Sequence, residues 1–532
     1  MKMKRLLWFG LSVFTVLAVI LTGCKAEPTG TPPVSQTEMP AEVPSSPKCG
    51  GTLKVADYIE VESLSPTTWD LGGSLKQRSL YDSLIRWDES KSEFVPMLAT
   101  SWEQESDTTW VFHLRQGVQF HKGYGELTAD DVAFSINVAL ENNLPIVWQL
   151  AGIDHVEAVD RYTVRYHLQY PDVPFLFLGV NNMGVFSKAA YEKLGPDEFD
   201  RNPVGSGPFE FVEWVSGDHL TLRRFSDYWQ EGMPCLDEIV FRFVPEASSR
   251  LALIVAGQVD VAESPDPSSI EQLASDPNIK VEEVPGFNWD ALVFNMTLAP
   301  VDSKEVRQAI GYAIDRTALV EGVYFGHGTP DDDPLPQAFL AGSPDQQKYP
   351  DTADQAKAKE LLAAAGYPDG LALSFMIDGS DERHVQIAQI VADQLADVGI
   401  DVSIEQVDTA TYLNTMWASY TDMPYQMTVV HLALVAPDPD SAMYWFHHTN
   451  TDGWHGWANP EVDPLLEKGR QVSDTGQRVE IYRQLVDLIL EDAPYVYIMN
   501  QNRIRASRND VMNTFLSPIP WEADWSLTWL NR

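Results

Sequence analysis

Between residues 371 and 407 the chain changes periodicity twice, and few layered folds accommodate that pattern. Residues 371–377 read as a strand. Val385, Ala388, Val391, Leu395 and Val398 then recur at helical spacing up to Gly399, and Ile400–Val407 reads as the next strand. A strand–helix–strand crossover is parallel and right-handed in nearly all proteins. A parallel sheet needs helices over its faces, so this stretch points to an α/β architecture. Open sheets of this kind hold ligands beyond the carboxyl ends of their strands.

Other local signals agree. Ser303 is placed to cap a helix carrying Val306, Ala309, Ile310, Ala313 and Ile314. Asp354 is placed to cap a second, which runs through Leu361 and Leu362 to a terminal glycine, Gly366. Thr128 precedes Asp130 and Asp131, two acids suited to the positive end of a helix dipole. Thr52–Asp57 and residues 110–114 have strand character, and no repeat of solenoid length interrupts the alternation. With 532 residues, 44% of them hydrophobic, the chain exceeds one compact core and predicts two or three domains.

The N-terminus carries a different signal. Lys2, Lys4 and Arg5 precede an apolar run, residues 6–21, that is too short for a spanning helix of about 20 residues. It reads as an export signal. Leu21-Thr22-Gly23-Cys24 follows, resembling the site at which bacterial lipoproteins are cut and acylated, so Cys24 is the expected lipidation site and residues 1–23 the signal peptide. Two or more acyl chains give stable anchoring where one is marginal. Residues 24–48, rich in Pro, Thr, Ser and Glu, cannot bury a core and read as a tether, up to about 75 Å long if extended. Export leaves Cys49 and Cys235 where disulfides persist, either bridged or as two buried thiols. With 77 acids against 37 bases the net charge is −40, which disfavours partners with phosphate backbones.

Ordered blocks then carry a resemblance. Pro96-Met97-Leu98-Ala99, Ser101-Trp102, and the run from Trp110 to His121 are followed by Thr128-Ala129-Asp130-Asp131-Val132. Next come Asn202-Pro203-Val204-Gly205-Ser206-Gly207-Pro208-Phe209, Asp227-Tyr228-Trp229, Gly257-Gln258-Val259-Asp260, Arg307-Gln308-Ala309-Ile310, and Ala313-Ile314-Asp315-Arg316. Lys359-Glu360-Leu361-Leu362, Ala365-Gly366-Tyr367 and Asn459-Pro460-Glu461-Val462-Asp463 extend the series. Over residues 50–510 the chain resembles solute-binding protein family 5, the oligopeptide-, dipeptide- and nickel-binding extracellular proteins. The resemblance implies a two-lobed periplasmic-binding-protein-like fold of type II closing about a hinge. Lobe I is expected at residues 49–88, 200–286 and 498–532, its inserted subdomain at 89–199, and lobe II at 287–497. It also implies a monomeric, non-enzymatic receptor outside the membrane that hands a small ligand to an ABC permease and its ATPase, with no cofactor. Gly205 and Gly207 are expected in a tight turn. Trp102, Trp110 and Trp229 are expected in the core, and Asp315 and Arg316 in caps or ion pairs.

The ligand class stays open. Peptide-binding relatives hold the peptide backbone by sheet-like bonds. They pair its amine with a carboxylate just upstream of an acidic-Pro step. Here that step is Asp438-Pro439, and the carboxylate's place is taken by Val435. Asp438 or Asp440 is the candidate substitute. Tyr58, Phe287, Trp289 and Trp445 are candidate cleft aromatics, which also suit a sugar, and Trp454 and Trp457 fall nearby. His447, His448 and His455 suit a metal chelate or a polar surface. The chain shows no Gly-x-Ser-x-Gly, His-Glu-x-x-His, Cys-x-x-Cys or Walker loop, so a secreted glycosidase with two carboxylates is the remaining enzymatic reading.

Overall fold

The computed structural model describes residues 48–68, 71–336, 347–417, 423–449, 457–519 and 523–532. Cys24, the signal peptide, nearly all of the tether, Trp454 and His455 lie outside the described residues. No helix among the described residues is long and apolar enough to cross a membrane.

One strand organises the fold. Tyr495–Arg508 pairs antiparallel with Asn288–Phe294 through its first half, and with Ile279–Pro285 and Val261–Glu263 through its second. It therefore belongs to two lobes at once. The sheet of the first lobe continues from it through Val261–Glu263, Thr52–Asp57, Glu238–Phe243 and His219–Arg224 to Phe209–Val215. Thr52–Asp57 runs parallel to both its neighbours, and its fully buried Leu53 and Val55 pack toward Phe209, Leu220, Leu222 and Ile239. A separate four-stranded antiparallel sheet is formed by Ala99–Ser106, Thr109–Leu114, Thr163–Leu168 and Ile153–Asp160. It is covered by the helix Ala129–Glu141, and its side chains join the same hydrophobic core as the first lobe's sheet. Trp102, Trp110 and Trp229 pack against this core.

The second lobe orders its strands Ile400–Val407, Leu371–Asp378, Met427–Ala433, Asn288–Phe294 and then the long strand. Leu371–Asp378 runs parallel to both neighbours, as the crossover pattern requires. Asn288–Phe294 is buried at every position, because helices cover both faces. Trp289, Ala291 and Val293 turn to one side, toward the helices Asp440–His447, Val462–Gln471 and Thr475–Asp492. Leu292 and Phe294 turn to the other, toward Lys304–Ala313, Arg316–Tyr324 and Glu382–Ala396. The period of two thus sorts one strand between two cores.

Several local signals form as their chemistry dictates. Asp354 accepts from Lys357 N at 2.9 Å, and Gly366 takes the positive φ of a C′ glycine. Asp315 caps Arg316–Tyr324 by accepting from Ala318 N at 2.8 Å. Arg316 is fully buried and donates to the carbonyls of Tyr497, Gly311 and Pro350. Gly205 and Gly207 differ from expectation. Neither has a positive φ; instead the Leu80 backbone passes so close that a Cβ at Gly205 would lie 2.1 Å from its carbonyl oxygen. Close approach, not turn geometry, requires these glycines. Cys49 and Cys235 are bridged across 186 residues of sequence, beside a bond from Gly50 N to the Cys235 carbonyl at 2.8 Å. In the loop-entropy account a closure of that length is worth up to about 5 kcal/mol.

Candidate functional site

The strand Met427–Ala433 leaves part of one edge open where the lobes meet. Leu434 N donates to the Phe287 carbonyl at 2.8 Å and Asn295 N to the Gln426 carbonyl at 3.0 Å. With the antiparallel register, even-numbered residues therefore turn their N–H and C=O groups toward Asn288–Phe294, and odd-numbered residues turn theirs away. The neighbour on that second side, Leu371–Asp378, pairs only at Met427 and Thr428. Beyond it, the Val429 carbonyl accepts from the Tyr412 hydroxyl at 2.7 Å, and the Val435 carbonyl accepts from Asn182 Nδ2 at 3.1 Å. The main-chain groups of His431 and Ala433 lie between these and carry no bond on that side among the described residues. Such an edge can accept an added strand.

A polar knot sits beside this edge, at the crossing of the long strand. Asp290, buried, accepts from the Tyr324 hydroxyl at 2.8 Å, His431 Nδ1 at 2.8 Å and Gln501 Nε2 at 3.2 Å. Burial pushes its carboxyl up, but these bonds and the charges of His431 and Arg383 outweigh burial and hold it below the usual range. Arg383 is held by Asp381 at 2.8 Å, with its side chain still 44% exposed.

The first lobe's contribution lies at the carboxyl ends of Thr52–Asp57 and Val261–Glu263. There Tyr58, Glu263, Arg503 and Trp525 line a small cavity of about 20 Å³, room for little more than one water molecule. Burial, with Asp57 nearby, pushes the Tyr58 hydroxyl up to about 12, so it stays neutral and able to donate. A second small space of about 30 Å³, lined by Ser74, Gln77, Arg78, Gln149 and Asn182, lies in the first lobe, and its Asn182 reaches the Val435 carbonyl that bounds the open edge.

Next to the open edge, from Val435 onward, the lobes touch. Trp148 and Trp445 stand 5.8 Å apart, Val173 N donates to the Arg470 carbonyl at 2.8 Å, and Phe177 and Leu178 pack on Val435 and Ala436. Val435 is thus an apolar contact between lobes.

The six sequence candidates separate. Tyr58 faces the cavity and Trp445 is 40% exposed. Phe287 and Trp289 belong to the second lobe's core; Trp289 is fully buried, edge-on to Phe446 and Tyr497 at 5.2 Å each. Asp438 and Asp440 are buried and taken. Arg478 holds Asp438 through two bonds of 2.7 Å, and Arg470 holds Asp440 through two of 2.9 Å. Two-pronged pairs of this kind occupy both carboxylate oxygens, so neither acid stands free for a ligand's amine. His447 and His448 do not form a polar surface. Both are buried: His447 bonds the Met443 carbonyl and the Tyr497 hydroxyl at 2.9 Å each, and His448 stacks on Tyr444. Trp457 is buried and donates to Asp492 at 3.2 Å. Among the described residues no group of three or more His, Cys, Asp or Glu could hold a metal ion. Sequence reasoning missed His431, Ala433 and Arg503. The first two depend on where a neighbouring strand stops. Arg503 alone left a trace, as a charged residue that follows the polar Asn500-Gln501-Asn502 after the apolar run 495–499.

Comparison with known proteins agrees with this architecture. The family description "Bacterial extracellular solute-binding proteins, family 5 Middle" matches residues 93–454. Heme-binding protein A of Haemophilus influenzae is 29% identical over 486 residues, covering 85% of this chain and 87% of that protein. The dipeptide-binding protein of Escherichia coli is 28% identical over 502 residues, covering 88% and 92%. The ABC transporter-associated periplasmic binding protein DppA of Helicobacter pylori, solved with the peptide STSA, superposes with a TM-score of 0.79 at 27% identity, covering 91% of this chain and 99% of that one.

Proposed function

Because the chain belongs to the family 5 bacterial extracellular solute-binding proteins, a family of transport receptors rather than enzymes, we propose that it captures short peptides or peptide-like molecules between its lobes and passes them to an ABC permease. The observation that carries this reading is the open edge at His431 and Ala433. It offers main-chain donors and acceptors to any extended backbone whatever its side chains, which suits a receptor of broad specificity. The relatives support the same class, one being a dipeptide-binding protein and another solved with a peptide. The Leu-Thr-Gly-Cys sequence supports an acylated Cys24 that keeps the receptor, acting as a monomer, at the outer face of the membrane.

Closure follows from the fold. The long strand joins the lobes, so they can rotate about residues 499–503, and a ligand bonded to both favours the closed form by its differential affinity for it. The test is to purify the protein gently, denature it and identify what is released by mass spectrometry. Short peptides or molecules with peptide-like amides are expected. A released sugar or metal chelate sinks the peptide reading, and unchanged uptake of the recovered ligand by cells lacking the chain sinks the transport role.

A further inference from the structure

Where the first lobe meets the helices of the second, three carboxyls share two guanidiniums. Arg470 is held by Asp440 through two bonds of 2.9 Å, and Arg478 by Asp438 through two of 2.7 Å. These four groups belong to the second lobe, and each arginine has already spent the side that takes a carboxylate through paired bonds. The third acid, Asp172, comes from the first lobe, on the segment that follows Thr163–Leu168. Its neighbour Val173 donates its N–H to the Arg470 carbonyl at 2.8 Å, a main-chain bond across the lobes. Asp172 Oδ1 is buried and has no hydrogen bond among the described residues. Oδ2 lies against Gly152, where a Cβ would come within 2.0 Å of it, so the missing side chain at residue 152 is what makes room for the carboxyl.

The surrounding groups do not supply the missing positive charge. On the first lobe's side stand Tyr170, raised by burial, and beyond Gly152 the exposed Asp154 and His155, which pair with each other at 2.8 Å. On the second lobe's side the Arg470 guanidinium lies over the Tyr444 ring at 3.5 Å, Glu467 and Asp463 of the same helix border that ring, and Tyr482 lies beside Arg478 at 3.4 Å. With all three acids ionised the buried set is one charge negative, and one proton on Asp172 balances it. Burial pushes the Asp172 carboxyl up to about 7, with Arg470 opposing and Asp440 and Asp438 adding. When the lobes part, the bond at Val173 breaks and the carboxyl returns to water and to its ordinary range, about 4. Closing therefore takes up a proton. The advantage this group gives the closed form is intact below about pH 4 and is lost as pH rises through about 7.

We propose that Asp172 is a proton-operated latch between the lobes: protonated it lets them close firmly, ionised it lets them part, so that capture is favoured in mildly acidic surroundings. This rests on the hinged-receptor reading given above, but the test uses no ligand, so either can fail alone. Hydrogen exchange at Val173 reports the parting of the lobes. Pro171 and Pro174 flank it without amides, so a short peptide reports it almost alone. In the full chain stripped of ligand, Val173 is expected to exchange far faster than the amides of Asn288–Phe294, which shows that parting and not unfolding is read. Its protection, corrected for the intrinsic rate, is expected to be about tenfold greater at pH 5 than at pH 8, the partial exposure of the carboxyl limiting the ratio. Asp172→Asn, neutral at both, is expected to keep the higher protection at both; should it fail to fold, the wild-type ratio decides. Equal protection at the two pH values, greater protection at pH 8, or an unchanged ratio in Asp172→Asn overturns the latch. So does exchange at Val173 no faster than in Asn288–Phe294, since the lobes then do not part there. A released sugar or metal chelate sinks the peptide reading and leaves the latch standing.

Discussion

The two walls of the cleft balance their charges differently. On the second lobe two buried acids beside the open edge each meet an arginine, Asp438 with Arg478 and Asp440 with Arg470, and the partly exposed Asp381 pairs with the more exposed Arg383. What that wall still offers a ligand is backbone. On the first lobe Asp172 reaches toward Arg470 after Asp440 has already claimed it, with Oδ1 buried and without a hydrogen bond among the described residues. Self-neutralising pairs give a wall its shape, and uncompensated groups are the ones free to respond to a ligand or to the opposite lobe.

The largest effect that sharpens this contrast concerns Asp438. Asp438→Ala leaves Arg478 buried without a counter-charge, and the protein is expected to lose about 3–5 kcal/mol of stability in urea denaturation. Combining Asp438→Leu with Arg478→Met is expected to restore most of it. If Asp438→Ala instead weakens ligand binding at unchanged stability, the acid is addressing a ligand and the second wall is not self-neutralising.

The same pair shows what a sequence conceals. Asp438 and Asp440 announce themselves beside Pro439, but their partners lie 40 and 30 residues further on, on other helices, and nothing local links them. Phe287 and Trp289 look alike as cleft or core residues, because an apolar run does not say whether its second face meets a ligand or another layer of helices. Here helices cover both faces. Where cause is local, the reading holds. Ile400–Val407 has both its expected ends, and Asp354 caps its helix, because alternation and capping act within a few residues. The choice between a Cys49–Cys235 bridge and two thiols depended on the pairing of Thr52–Asp57 with Glu238–Phe243, a contact across the chain. The open edge is least legible of all, since it exists only because Leu371–Asp378 stops pairing after Thr428.

Asp172 breaks the comparison from the other side. Burial raises its carboxyl to about 7, with the charge of Arg470 opposing and those of Asp440 and Asp438 adding. Tyr170 and Tyr444, both raised by burial, also border Arg470, and Arg478 completes the set of charges around it. A carboxyl raised on folding binds more protons folded than unfolded, so its contribution is intact below about pH 4 and is lost as pH rises through about 7. Asp172→Asn is expected to remove that slope and to stabilise the protein at pH 8 by about 1–2 kcal/mol, the partial exposure of the site limiting the gain. Urea denaturation at pH 5 and pH 8 measures it. Equal responses of wild type and variant at the two pH values would mean that Asp172 is compensated and that the first lobe's charges balance as well as the second's.

The smallest effect isolates the backbone. Ala433 turns its N–H to the open edge, so Ala433→Pro removes a donor that no neighbouring strand uses, and Leu432 before it is already extended, as a residue preceding proline prefers. Stability is expected to change little and ligand affinity to fall about 3- to 10-fold, the worth of one hydrogen bond. Leu432→Pro, one residue earlier, faces the strand Asn288–Phe294 and breaks a ladder bond, so it is expected to destabilise the fold before it weakens binding. The pair of variants makes the parity of the strand visible in solution. If both act on stability alone, with the affinity of the folded fraction unchanged, the ligand does not use this edge. The second wall then recognises by side chains after all, and the division between a wall that offers backbone and a wall that keeps an uncompensated charge fails at its first premise.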